Sequence, residues 1–440
     1  MTQSLIYGQS ASASTTLSAA QRKGIIAACI GNFIEWYEFI LYGYFAATIA
    51  QVFFPAQSAS ASLMLTFAVF GVSFLIRPAG GLFFGYFGDR YGRRVTLSMI
   101  ILLASGATAL IAMVPSYASI GIAAPLLILT LRFIQGISAG GEWMGAAAYV
   151  IETAPANRRA YYGSWQTVTI VLGMMTAALA SLLMSSILDA QDLLSWGWRI
   201  PFLVSLPLGL FGLYLRLKLD ESIEYEEMAK ENVKEHSPLR SALKNDWRSI
   251  LTVASLVSST TMCTYVLLVY GPTYLMTQLG VSSFHARLAG FCAMVVLMLA
   301  TVIFARISDR IGRRPLLIVG ALWVILSAFV GFYLLHQHSL GYLVAGLSLV
   351  IIGQAMMLGP QPAVFSELFP TSRRYSGLAI GYNVGVVLFG GAGPFVATAL
   401  ISYFQSTYAP AIYLVLGGVI SLIGALNTPE TMHYSLRDGR

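Results

Sequence analysis

The sequence predicts an all-α membrane protein, with twelve transmembrane helices in two pseudo-symmetric six-helix bundles. Three observations carry that prediction. First, the 440 residues are 57% hydrophobic and only 10% charged, with a mean hydropathy of +0.73. A soluble domain carries about 25% charged residues, so most of this surface cannot lie in water. Second, apolar segments recur along the whole chain at roughly 20 residues each, the length a helix needs to cross a ~30 Å hydrocarbon core. Third, Gly85-Tyr86-Phe87-Gly88-Asp89-Arg90-Tyr91-Gly92-Arg93-Arg94 returns in altered form as Ala305-Arg306-Ile307-Ser308-Asp309-Arg310-Ile311-Gly312-Arg313-Arg314, with Asp309 220 residues after Asp89. A repeat at half the chain length implies two similar halves.

In chain order, residues 1–21 are rich in Ser, Ala and Thr and lack a basic leader, so they read as a disordered cytoplasmic tail. Residues 22–217 form the first bundle, with spans expected at about 24–50, 62–86, 95–114, 121–150, 161–188 and 197–217. The polar stretch 218–248 is a cytoplasmic linker of short amphipathic helices. Residues 249–428 form the second bundle, with spans at about 249–276, 285–306, 315–336, 340–366, 376–402 and 408–427. Residues 429–440 are a cytoplasmic tail. A second repeat supports the division: Glu152-Thr153-Ala154-Pro155-Ala156-Asn157-Arg158-Arg159 matches Glu367-Leu368-Phe369-Pro370-Thr371-Ser372-Arg373-Arg374 at an offset of 215.

The net charge of +7 is explained by position. All but four of the 26 Lys and Arg residues (Arg77, Arg132, Arg199 and Arg287) fall at the termini or in alternate loops. That is the positive-inside pattern, which places both termini in the cytoplasm and argues against a nucleic-acid partner. Cys29, Cys263 and Cys292 sit within apolar spans and behave as small hydrophobes. The five histidines lie in loops or near span ends, no carboxylate or thiol accompanies His336-Gln337-His338, and no P-loop occurs. No catalytic constellation, metal site or cofactor site is expected.

Ionisable residues inside spans are costly and are functional by default. Glu35, Glu38 and Tyr42 follow an i, i+3, i+7 spacing and share one helical face. Two neighbouring carboxyls repel, which favours binding of a proton to one of them. Arg132, Gln135, Ala139 and Glu142 form a second stripe, in which Arg132 offers a planar fork to a carboxylate or an ion-pair partner to Glu35, Glu38 or Glu142. Arg77 either meets a bound solute or snorkels to the interface. Trp165, Gln166, Tyr265, Tyr270, Gln354, Tyr382 and Asn383 are the polar and aromatic candidates for lining a cavity. In the repeated loops, Asp89 and Asp309 suit helix N-termini. Arg90, Arg93, Arg94, Arg158, Arg310, Arg313, Arg314 and Arg373 can pair with acids such as Glu152 and Glu367, latching one conformation.

The 85–94 loop resembles the signature of the major facilitator superfamily. Gly31-Asn32-Phe33-Ile34-Glu35-Trp36-Tyr37-Glu38-Phe39, Phe74–Gly81, Arg132–Glu142, Trp196–Phe202, Leu206-Pro207-Leu208-Gly209 and Phe369-Pro370-Thr371 together resemble its metabolite:proton symporter family. That family includes transporters of proline/betaine, α-ketoglutarate, shikimate and citrate, and residues 196–227 and 265–275 look most like the proline/betaine branch. Two departures stand out: Glu38, where relatives more often have aspartate, and the absence of a coiled-coil tail before Arg440.

The resemblance implies a monomeric symporter of the bacterial inner membrane, importing a small carboxylate-bearing metabolite by alternating access with the proton as coupling ion. Glu35, Glu38 or Glu142 would carry the proton and Arg132, helped by Arg77, would hold the carboxylate. Two alternatives stay open: a proton-driven exporter of organic anions or drugs on the same scaffold, and a sensor without transport. The exporter would accumulate drugs in inverted vesicles, and the sensor would need a large signalling domain.

Overall fold

The computed structural model describes residues 19–91, 93–140, 147, 150–217, 243–370, 374–434 and 436. Its first six main helices are α1 (Ala19–Tyr44), α2 (Ala59–Tyr91), α3 (Arg93–Met113), α4 (Ala123–Ser138), α5 (Arg159–Ile187) and α6 (Arg199–Leu217). The second six are α7 (Trp247–Cys263), α8 (Ser283–Ile311), α9 (Arg314–Leu335), α10 (Leu340–Leu358), α11 (Arg374–Gly385) and α12 (Ala409–Asn427). Among the described residues nine helical segments are long and apolar enough to cross a membrane. The shorter apolar helices Ser98–Met113 and Ala123–Ser138, together with α1, bring the spans to twelve.

Several spans are segmented. The first continues past Phe45 as Ala46–Phe53. The seventh runs through a π turn, Thr264–Val269, into Gly271–Thr277, and the eleventh through Val386–Gly391 into Gly393–Phe404. A third π turn, Leu193–Gly197, leads into α6. Such turns widen the backbone ladder by one residue and collect at functional sites. Those of the seventh and eleventh spans touch each other, and both reach the α2 helix of the other half, the former through Tyr265.

Small residues decide how tightly the first bundle closes. A Cβ on Gly136 of α4 would collide with the Ser73 backbone of α2, and one on Gly80 with the Ile137 backbone. Glycine therefore permits a backbone-to-backbone crossing of α2 and α4. This brings Arg77 and Arg132, one on each helix, to the same aromatic ring.

The halves meet along α5 and α8, among other contacts, and two zones bear on the site. Midway along the bundle, aromatic rings interlock edge to face: Phe67 with Tyr270 (centroids 5.4 Å apart) and Phe74 with Tyr265 (5.0 Å). At the end that bears the sequence repeats, the contact is ionic. Asp309 accepts from the Ala160 and Tyr161 N–H groups (3.0 and 2.8 Å) across the halves, and from Arg313 (2.6 Å) in its own half. Arg374 pairs with Glu152 at 2.5 Å, and Arg159 with the fully buried Glu367 at 3.5 Å. Arg306 stacks over Tyr161 at 4.8 Å.

The segment after α12 folds back under this charged end. Glu430 caps the start of α9 by accepting from the Arg313 and Arg314 N–H groups (2.9 and 3.1 Å), beneath Gly312 at φ +103°. Thr431 donates to Glu367 at 2.6 Å, and the Tyr434 carbonyl accepts from Arg159 at 3.0 Å.

Candidate functional site

The buried charges of the first bundle converge on Phe39 of α1. Phe39 packs on Phe70 and Phe74 of α2, and its ring is flanked by the Arg77 and Arg132 guanidiniums, each 4.7 Å from its centroid. The two arginines are satisfied differently. Arg77 donates to Glu35 Oε1 at 3.1 Å, an ion pair almost closed to solvent. Arg132 is fully buried and is paired with no carboxylate among the described residues. Its Nη1 donates to Gln135 Oε1 at 2.7 Å, while Nε and Nη2 have no hydrogen-bond partner among those residues. Three rings hold its position: Phe39 and Tyr42 (both 4.7 Å) and Phe70 (4.9 Å).

A buried guanidinium without a counter-ion is expensive, because desolvation is not offset. The stacking rings recover part of that cost. The two free N–H sites form the kind of fork that accepts a carboxylate with two parallel bonds. The cage extends into the other half: Tyr265 packs against Phe70 and Phe74 (6.0 and 5.0 Å), and the hydroxyls of Tyr42 and Tyr265 have no hydrogen-bond partner among the described residues.

Glu38 lies one helical turn from Glu35 and points elsewhere, taking the Ser105 hydroxyl of α3 at its Oε1. A void of about 10 Å³, bordered by Glu35, Glu38, Ser105 and Ser138, lies beside both carboxyls. That is room for one water.

The structure gathers some sequence candidates and separates others. Glu35, Glu38, Tyr42, Arg77, Arg132, Gln135 and Tyr265 come together. Tyr270 lies beside them on the wall formed by the other half. Gln354 donates to Thr264 Oγ1 (2.6 Å) and the Thr260 carbonyl (3.0 Å), tying α10 to the seventh span. Tyr382 and Asn383 stand just before the π turn of the eleventh span. Gln166 is buried against Asn32, whose amide donates to its side chain at 3.3 Å. Trp165, expected in the cavity, is 40% exposed and packs on Tyr161, because the helix turns about 100° per residue and sends neighbours 165 and 166 to different faces.

At the charged end Glu152, Asp309, Arg313 and Glu367 come together, whereas Arg158, Arg310 and Arg314 are exposed. Arg159 and Arg374 make ion pairs across the halves, with Glu367 and Glu152. Burial alone would depress the Arg313 pKa, but the Glu367 and Asp309 carboxylates hold it above the ordinary arginine value. Glu142, Arg373 and the side chains of Asp89, Arg90, Arg93 and Arg94 lie outside the described residues. Sequence reasoning missed Ser105, Thr108, Arg159, Arg374 and Glu430. For the first two the signal was a pair of hydroxyls three residues apart inside an apolar span.

The model of the family described as "Sugar (and other) transporter" matches residues 24–237 and 224–438. The proline/betaine transporter of Salmonella typhimurium is 37% identical over 425 residues, covering 94% of this chain and 85% of that protein. The shikimate transporter of Escherichia coli K12 is 37% identical over 417 residues, covering 93% and 95%. Among solved structures, the proton:xylose symporter XylE bound to 6-bromo-6-deoxy-D-glucose superposes with a TM-score of 0.76 at 21% identity, covering 96% of this chain and 99% of that one. At that identity the likeness shows the fold. Family match, relatives and fold agree: this chain belongs to the major facilitator superfamily, in its metabolite:proton symporter family.

Proposed function

We propose that this protein imports a small carboxylate-bearing metabolite, a proline/betaine-like osmolyte or an organic acid, together with protons by alternating access. The observation that carries this reading is Arg132, fully buried in an aromatic cage with two unpartnered N–H sites. A carboxylate satisfies both sites. The faces of Tyr265, Phe70 and Phe74 suit the ammonium of a zwitterion. The names of the two relatives, one a proline/betaine and one a shikimate transporter, agree with a small carboxylate.

Charge accounting links the solute to the proton. Among the described residues Glu35 and Arg77 neutralise each other, and in this reading the charge of an ionised Glu38 in the same bundle offsets that of Arg132 without a direct contact. A proton on Glu38 leaves the Arg132 charge uncompensated in a site where an unbalanced charge is costly. An incoming carboxylate restores the balance, so each ligand favours the other, and the coupling is reciprocal.

In this reading the charged end faces the cytoplasm of a bacterial inner membrane, with both termini on that side, as the basic loops suggest. A single chain suffices, and the proton is the only partner besides the solute and lipid. The two bundles rock about Arg132, with the contacts of Asp309, Glu367 and Arg374 made when the cytoplasmic side is shut. Energised right-side-out vesicles test the coupling with radiolabelled proline, glycine betaine and shikimate. Glu38→Gln should abolish uphill accumulation while solute counterflow survives. Unchanged accumulation in that variant contradicts the assignment.

A further inference from the structure

The proton site and the solute site are held by the same helix. On α3, Ser105 donates its hydroxyl to Glu38 of α1. One turn further along, Thr108 accepts the Gln135 amide of α4 at 2.6 Å, and Gln135 in turn accepts from Arg132 at 2.7 Å. Thr108 donates its own proton to the Ala104 carbonyl at 2.8 Å, so its oxygen lone pairs are aimed at Gln135. Residues three apart on a helix share a face, so one face of α3 meets both the carboxyl and the guanidinium relay. From the far side, Gly209 of α6 leaves no space beside Ser105: a Cβ there would run into the serine hydroxyl. The Ser105 side chain is confined against Glu38.

We infer that Ser105 and Thr108 are positioning residues that couple the protonation of Glu38 to the setting of Arg132. When Glu38 is ionised, the Ser105 O–H donates to a charged oxygen, a bond roughly twice as strong as a neutral one. This anchors α3 against α1. Protonation makes that bond neutral, the anchor weakens, and α3 is free to shift. Thr108 moves with it and carries the Gln135–Arg132 pair, turning the free N–H sites toward the incoming carboxylate. The inference rests on the reading of Glu38 and Arg132 given above and adds the element that connects them.

Among the described residues, the ionisable groups of this region include Glu35, Tyr37 and Tyr42 on the helix of Glu38 itself, Arg77 of α2, paired with Glu35, and Arg132 of α4, stacked on Tyr42. The described stretch Ser98–Met113 of α3 has no ionisable side chain, and α5 and α6 approach α1 through Gly173 and Gly212. Among the described residues the Ser105 hydroxyl links Glu38 to α3, and Thr108 continues the contact to Gln135.

Equilibrium binding of radiolabelled proline and glycine betaine to the purified full-length protein tests the inference as a function of pH. The wild type should bind at least about tenfold more tightly at pH 6 than at pH 8.5, within the usual range of coupling between two sites. Ser105→Ala and Thr108→Val should each reduce that ratio to about threefold or less, and Thr108→Ser should restore it. Either loss on its own is informative should the other variant fail to fold. A uniform drop in affinity with the tenfold ratio intact would show a purely structural role and overturn the inference. Wild-type affinity in Arg132→Gln, or no pH ratio in the wild type, would instead defeat the underlying reading.

Discussion

Replacing Asp309 by Asn should open the charged end of the molecule. The Asp309 carboxylate accepts two N–H groups at the first turn of α5 in the other half, at 3.0 and 2.8 Å, and an Arg313 N–H at 2.6 Å. Asn keeps an acceptor oxygen but removes the charge. Hydrogen bonds to a charged group contribute about 1.5–3 kcal/mol, against about 0.5–1.5 for neutral ones. Two bonds across the halves are thus weakened by about 2–3 kcal/mol together, a shift of roughly 30- to 150-fold in the ratio of open to closed molecules. The assay places nitroxide labels on cysteines introduced at Arg158 and Arg310, exposed positions in opposite halves, after removal of Cys29, Cys263 and Cys292. Pulsed electron resonance should show a longer-distance population in Asp309→Asn that is minor in the parent. An unchanged distance distribution would refute the latch. So would a fall in solute affinity without any change in distance, which would put Asp309 in the binding site.

Two other perturbations probe the scaffold. Glu430→Gln removes the charge that caps the first N–H groups of α9, and should cost about 1 kcal/mol, the usual worth of such a cap, seen as a lower unfolding temperature. Gly136→Ala pushes a methyl group into the Ser73 backbone, and should cost about 1–3 kcal/mol through overpacking, reducing the yield of folded protein and separating Arg132 from Phe39.

The twelve spans were legible because lipid imposes a length and a composition on each of them, and the half-length repeat showed how they pair. What escaped was whatever depends on helical phase or on a neighbouring helix. In both dibasic pairs, at 158–159 and 373–374, the spacing alone did not say which arginine turns inward; the structure buries Arg159 and Arg374. Glu35 and Arg132 both read as buried charges, yet Glu35 pairs with Arg77, because the glycine crossing of α2 and α4 sets who meets whom. The π turns at Thr264–Val269 and Val386–Gly391 left no periodic signal, since they break the period that would reveal them. Ser105 and Thr108 resemble ordinary helix–helix glue until their partners on α1 and α4 are known.

The central claim is that Arg132 anchors the carboxylate of the transported solute. Calorimetric binding of glycine betaine and of choline, which has the same ammonium but no carboxylate, tests it most directly in the wild type and in Arg132→Gln. Losing an ion-paired, hydrogen-bonded partner in a buried site costs about 3–5 kcal/mol, so the variant should bind betaine at least about 100-fold more weakly. Its choline affinity should stay close to that of the wild type. Betaine binding of wild-type strength in Arg132→Gln would contradict the account.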